Sequence, residues 1–171
     1  MNRSVKSAFA LAFATAFLLT GAPAKAEVSA RIAADGEAIT LTNANSRKCL
    51  TVAGGSTANL ARAVQYNCDG HASRTWVVSG SLGGNFRLVN LNSGRCLTVD
   101  GGSTANNAPV VQYTCDTHAA RYWRVINNNG STLQVRNVNS GKCLTIAGGS
   151  TANNAAAVQY TCDTHLSRRW Y

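Results

Sequence analysis

The chain has little acid, little proline, and no long apolar or basic run beyond its first 26 positions. Only 7 of its 171 residues are Asp or Glu, against 16 Lys and Arg, and there are two prolines. Within the repeated units described below, no two carboxylates lie close in sequence. The facing pair that a glycoside hydrolase needs is therefore not evident. Ser/His/Asp combinations do occur in each unit, but three copies on loops point to architecture rather than a catalytic triad. No two cysteines are spaced as C-x-x-C, which argues against a zinc site. Lys and Arg form no basic run, which argues against nucleic acid as a partner. The Gly-Gly-Ser-Thr stretches lack a strand-to-helix setting and read as hairpin turns, not phosphate cradles. No cofactor is implied.

What is present starts with Met1 to Ala26. Arg3 and Lys6 precede an apolar run from Ala8 to Leu19, and Ala24-Lys25-Ala26 follows. That layout is a signal peptide, with cleavage expected after Ala26. The run is shorter than the roughly 20 residues of a membrane-spanning helix, and a buried or amphipathic helix is the alternative reading. The expectation is a secreted domain over residues 27–171 with no membrane span. Loss of Arg3, Lys6 and Lys25 would lower the formal charge from +9 to +6. A basic balance aids solubility and could also attract anionic glycans.

The main signal is a repeat of 47 residues. It relates Cys49, Cys96 and Cys143, and likewise Cys68, Cys115 and Cys162. The same shift relates Trp76, Trp123 and Trp170, and His71, His118 and His165. Units two and three agree at about three-quarters of positions from cysteine to tryptophan, while unit one diverges after Ala58, at Asn59-Leu60-Ala61-Arg62. Helical spacing of apolar residues is absent after Ala26. Short alternating segments recur instead, such as Leu50-Thr51-Val52, Phe86-Arg87-Leu88 and Leu144-Thr145-Ile146, each reading as a half-buried strand. Turn residues such as Asn92-Ser93-Gly94 separate them. Repeats of about 37–83, 84–130 and 131–171, with about four strands each, suit neither a three-bladed propeller nor a helical solenoid. The expected fold is all-β: a β-trefoil of three pseudo-threefold repeats with about twelve short strands. Each unit has its own two cysteines 19 residues apart. Pairing within units is the simplest solution, giving Cys49–Cys68, Cys96–Cys115 and Cys143–Cys162. Closing such loops should stabilise each lobe by about 3 kcal/mol.

The unit Asn-Ser-Gly-Lys-Cys-Leu-Thr-x-x-Gly-Gly-Ser-Thr, then Val-Gln-Tyr-Thr-Cys-Asp, then Arg-x-Trp, resembles the ricin-B-type trefoil repeat. That family includes R-type lectins and the xylan- or galactose-binding modules of bacterial glycosidases. The resemblance implies a twelve-stranded β-trefoil with up to three sugar sites, one per lobe. It also exposes departures. The family's sugar-binding aspartate is replaced by Thr51, Thr98 and Thr145. The Gln of its Q-x-W motif is replaced by Arg74, Arg121 and Arg168, and the preceding asparagine by Ser73, Ala120 and Ser167. The aromatic two before the second cysteine is kept as Tyr66, Tyr113 and Tyr160.

These residues make up the candidate carbohydrate-binding set. The tyrosine rings can stack on the apolar face of a pyranose, or else pack against the disulfide. Thr51, Thr98 and Thr145 alternate with apolar neighbours and are expected to face the tyrosines. Asp100 follows Thr98 by two and could restore a carboxylate in unit two, or simply begin its Gly-Gly turn. Asp69, Asp116 and Asp163 precede His71, His118 and His165 by two. Either these rim the sugar pocket, or the aspartate ties its loop to backbone N–H groups. The arginines could pair with the aspartate of their own lobe, or fork onto an acidic sugar. The three tryptophans read as core. The expected function is a non-catalytic, lectin-like protein whose partners are glycans or polysaccharides, acidic ones included, or a glycoprotein. The alternative is a secreted trefoil with eroded sugar sites that binds a protein partner, as an inhibitor, toxin partner or adhesion factor does.

Overall fold

Short stretches of Val, Leu, Ile and Thr bounded by glycine and asparagine turns form strands here because their side chains pack well on a pleated surface, and the hairpin strands that begin at Cys49, Cys96 and Cys143 are buried on both faces. The computed structural model describes residues 35–81 and 83–171. The expected signal peptide, Met1 to Ala26, lies outside the described residues. Lobe one holds β1 (Ala38–Ile39), β2 (Cys49–Val52), β3 (Ala63–Tyr66) and β4 (Trp76–Gly80). Lobe two holds β5 (Phe86–Asn90), β6 (Cys96–Val99), β7 (Val110–Tyr113) and β8 (Trp123–Ile126). Lobe three holds β9 (Gln134–Asn137), β10 (Cys143–Ile146) and β11 (Ala157–Tyr160). Among the described residues the strands thus number eleven, not twelve. The place of the last is taken by isolated bridges from Trp170 to Asn43 and to Leu133.

Those bridges complete a ring. Antiparallel pairs join β1 to β4, β4 to β5, β5 to β8 and β8 to β9. Trp170 then carries the ring from lobe three back to lobe one. The hairpins β2–β3, β6–β7 and β10–β11 sit beside it, each paired over four residues. Bridges Arg62↔Val111, Pro109↔Val158 and Val64↔Ala156 link each hairpin to the next around the pseudo-threefold axis. The result is a β-trefoil.

The core repeats by thirds. Trp76, Trp123 and Trp170 are fully buried, and their indole N–H groups donate to the carbonyls of Leu50, Leu97 and Leu144 at 3.0–3.1 Å. Each lobe adds its Leu-x-Val or Leu-x-Ile pair from the hairpin strand. The cystines are Cys49–Cys68, Cys96–Cys115 and Cys143–Cys162, each with Cα atoms 5.1 Å apart. Each clips the start of one hairpin strand to the segment that leaves the other.

Buried polar side chains lock the lobes together. Gln65, Gln112 and Gln159 are fully buried. The Gln112 amide donates to the carbonyls of Ser56 and Ala58 in lobe one, and its oxygen accepts from Ser93 at 2.7 Å. Gln159 does the same with Ser103, Ala105 and Ser140, and Gln65 with Ser150, Ala152 and Ser46. All three amide groups are thus satisfied within the protein, as buried polar groups require. Among the described residues no helix is long and apolar enough to cross a membrane.

Candidate carbohydrate-binding clefts

Among the described residues, each lobe opens a cleft at an equivalent place, and the three are built on the same elements. Cleft one has a volume of about 420 Å³ and is lined by Thr51, Tyr66, Asp69, His71 and Arg74. Cleft two, of about 470 Å³, is lined by Thr98, Asp100, Tyr113, Asp116, His118 and Arg121. Cleft three, of about 270 Å³, is lined by Thr145, Tyr160, His165 and Arg168. Asp163 is not among the residues that line cleft three, although it occupies the equivalent loop position. The neighbouring lobe completes each rim, with Asn154 at cleft one, Leu60 at cleft two and Asn107 at cleft three.

The loop between the second cysteine and the tryptophan is a small clamp. Asp69 Oδ1 accepts from the backbone N–H of His71 at 2.9 Å and meets an Arg74 guanidinium nitrogen at 3.1 Å. Asp116 with Arg121, and Asp163 with Arg168, repeat the pair at 3.1 Å. The guanidinium also lies over the tyrosine ring, at 4.9 Å for Tyr66 and Tyr113 and 4.6 Å for Tyr160. Such a contact is attractive because the ring face is electron-rich. It fixes the ring and occupies one of its faces. The arginine side chains are only 11–12% exposed, so the pairing within each lobe leaves little guanidinium to fork onto an acidic sugar.

The histidines cap a single 3-10 turn. Nδ1 of His71, His118 and His165 accepts from the backbone N–H of Ser73, Ala120 and Ser167, at 3.1 Å in every lobe. An imidazole that accepts at Nδ1 carries its proton on Nε2, which becomes a donor. The Gly-Gly pairs explain how the ring fits. Gly55, Gly102 and Gly149 have φ of +63 to +65°, and a Cβ there would meet the histidine Cε1 at 2.9–3.1 Å. The loops are therefore more than hairpin turns: the second glycine makes room for the ring.

The threonines line the clefts, but their hydroxyls are committed. Thr51 Oγ1 donates to the Ser73 carbonyl at 3.1 Å, Thr98 to the Ala120 carbonyl at 3.2 Å, and Thr145 to the Ser167 carbonyl at 3.1 Å. All three residues are buried on a strand with no exposed face. Their hydroxyls brace the 3-10 turn. Asp100 differs. It is half-buried in cleft two, and its carboxylate has no partner among the described residues. Two contributors escape a reading of the sequence: the rim residues from the neighbouring lobe, and the arginine cover on the tyrosines.

A family model described as "Ricin-type beta-trefoil lectin domain-like" matches residues 29–113, 73–160 and 119–171. The chain belongs to this family. Among solved structures, this ricin-type chain is similar to a designed threefold-symmetric protein, ThreeFoil, at 28% identity and a TM-score of 0.76; the match covers 78% of this chain and 95% of that one. It is also similar to 1,3Gal43A, an exo-β-1,3-galactanase from Clostridium thermocellum, at 27% identity and a TM-score of 0.73, over 77% of this chain and 28% of the enzyme. The lectin-like chain thus matches only a part of that enzyme. A Macrolepiota procera ricin B-like lectin, solved in complex with lactose, shares the fold at 16% identity and a TM-score of 0.69, over 80% of this chain and 94% of that one. No curated protein matches the chain.

Proposed function

We propose that this ricin-type trefoil is an exported, non-catalytic carbohydrate-binding protein with one shallow sugar site per lobe. The observation that carries the reading is the threefold recurrence of a braced tyrosine beside a histidine donor in an open cleft. An aromatic ring offers a flat apolar surface to the C–H face of a pyranose, and flanking donors and acceptors meet its hydroxyls. The lactose complex of the Macrolepiota lectin is consistent with this use of the fold. Three cystines suit an oxidising compartment, which supports export. Only cleft two is lined by two carboxylates, and one of them, Asp116, is ion-paired, which supports a non-catalytic role. Sites of this kind bind weakly alone and gain through multivalency on one rigid body.

Affinity electrophoresis in gels containing galactan, xylan or mannan tests the proposal. The chain should be retarded by at least one polysaccharide, free sugar should reverse the retardation, and the triple variant Tyr66→Ala/Tyr113→Ala/Tyr160→Ala should migrate freely while keeping its β-sheet spectrum. Retention by a glycoprotein that survives deglycosylation, with no competition by sugars, would instead favour recognition of protein. Turnover of aryl glycosides by the pure protein would overturn the non-catalytic part.

A further inference from the structure

Three clefts built from nearly one sequence serve as controls for one another, and cleft two is the odd one. Ala120 stands where the other lobes have Ser73 and Ser167. It removes a hydroxyl that elsewhere lies 2.8–2.9 Å from the histidine Nδ1. Asp100 stands where the others have Ala53 and Ala147. Leu60 reaches the rim of cleft two from lobe one, in the place that Asn107 and Asn154 take at clefts three and one.

The rim position is conformationally demanding. Leu60, Asn107 and Asn154 have φ of +65°, +63° and +63°. Asparagine tolerates this left-handed region, whereas leucine is disfavoured there. The backbone is held in it by the same bond in each lobe, from Leu60 N to Gln112 O, Asn107 N to Gln159 O, and Asn154 N to Gln65 O, at 2.8–2.9 Å. Leu60 is 56% exposed, so burial in the core does not offset its strain. A strained, exposed apolar side chain at a pocket mouth points to a role in binding. The charge of this cleft is also distinct. Asp69 and Asp163 are matched by their arginines, and so is Asp116, but Asp100 is not. Cleft two therefore carries one uncompensated carboxylate, which accepts from O–H or N–H groups and repels acidic sugars.

Building on the glycan-binding reading, we propose that cleft two selects a neutral sugar bearing a methyl group, as an acetamido or 6-deoxy sugar does. Leu60 covers the methyl, and Asp100 accepts from a neighbouring hydroxyl or amide N–H. Clefts one and three, with asparagine on the rim, take sugars without that methyl, so one chain reads two kinds of sugar residue.

The test is a titration followed by NMR at the ring protons of His71, His118 and His165, one reporter per cleft. The probes are a parent hexose and its 2-acetamido, 6-deoxy and 6-carboxyl derivatives, in the galacto and gluco series. At His118 a methyl-bearing probe should saturate at about fourfold lower concentration than its parent, the effect of one methyl removed from water, and the 6-carboxyl probe should bind worst. Leu60→Asn should abolish the methyl preference, and it relieves backbone strain, so folding is not at risk. Asn154→Leu should transfer the preference to His71. The arm that shows the preference identifies the source of the methyl. Equal response of His118 to parent and methyl-bearing probes, or a preference that survives Leu60→Asn, overturns the cleft-two proposal alone when His71 and His165 still respond. Silence at all three rings overturns the glycan reading and this proposal with it.

Discussion

Replacing Gln112 by methionine keeps roughly the same side-chain length while removing every polar contact of a fully buried amide. Gln112→Met loses the bonds to the Ser56 and Ala58 carbonyls, at 2.8 and 2.9 Å, and the bond from Ser93 at 2.7 Å. A neutral hydrogen bond contributes about 1 kcal/mol net, and a buried group left unpaired costs more, so three such bonds sum to about 3 kcal/mol. Water can reach the freed carbonyls because Ser56 is half-buried and Ala58 exposed, which lowers the expected loss to about 2–3 kcal/mol. For a domain of this size that is a fall in Tm of about 6–12 °C. Urea unfolding followed by tryptophan fluorescence measures it directly: the midpoint should drop with the slope m unchanged. A loss below about 0.5 kcal/mol would refute the reasoning, since it would mean that the amide contributes nothing beyond filling space. The segment Ser56–Ala58 also leads to Leu60, so the same substitution should loosen the rim of cleft two.

Two further outcomes follow from the same structure. Removing one cystine with Cys96→Ala/Cys115→Ala opens a loop with a separation of 19 residues and should cost about 3 kcal/mol in chemical denaturation; an unchanged midpoint would show that the loop is held by other contacts. Thr51→Val removes the hydroxyl that donates to the Ser73 carbonyl, so stability should fall by about 1–2 kcal/mol while sugar affinity stays the same. A variant of wild-type stability that had lost affinity would show instead that this hydroxyl touches ligand.

Much of the architecture is legible in the sequence, because the repeat is expressed in residues with strong physical roles. Cys49, Cys68 and Trp76 recur in step, and the segments between them alternate with period two, so three strand-rich units with internal cystines followed directly. The buried glutamines were not legible. A polar residue in Val-Gln-Tyr reads as the solvent-facing half of an alternation, and nothing local shows that Gln65 meets carbonyls 85 and 87 residues away. Leu60 was visible as a departure in unit one, but its place on the rim of another lobe depends on the same long-range docking. Thr51, Thr98 and Thr145 illustrate a different limit. Their alternation with leucine and valine turned them toward the tyrosine, as the clefts have it, but the 3-10 turn that takes up their hydroxyls has no signature beyond the histidine two residues before Ser73, Ala120 and Ser167. The arginine cover on the tyrosine is legible only as an ion pair with Asp69, Asp116 or Asp163; the stacking is a matter of where the loop folds back.

The most direct measurement is the number of sugar sites per chain, by titration calorimetry with an oligosaccharide that retards the protein in affinity gels and contains both methyl-free and methyl-bearing sugar residues. Three tyrosine clefts should give three sites, and Tyr113→Ala should leave two with their affinities intact. A single site indifferent to Tyr66, Tyr113 and Tyr160 would contradict the proposal that the three lobes each present a working cleft.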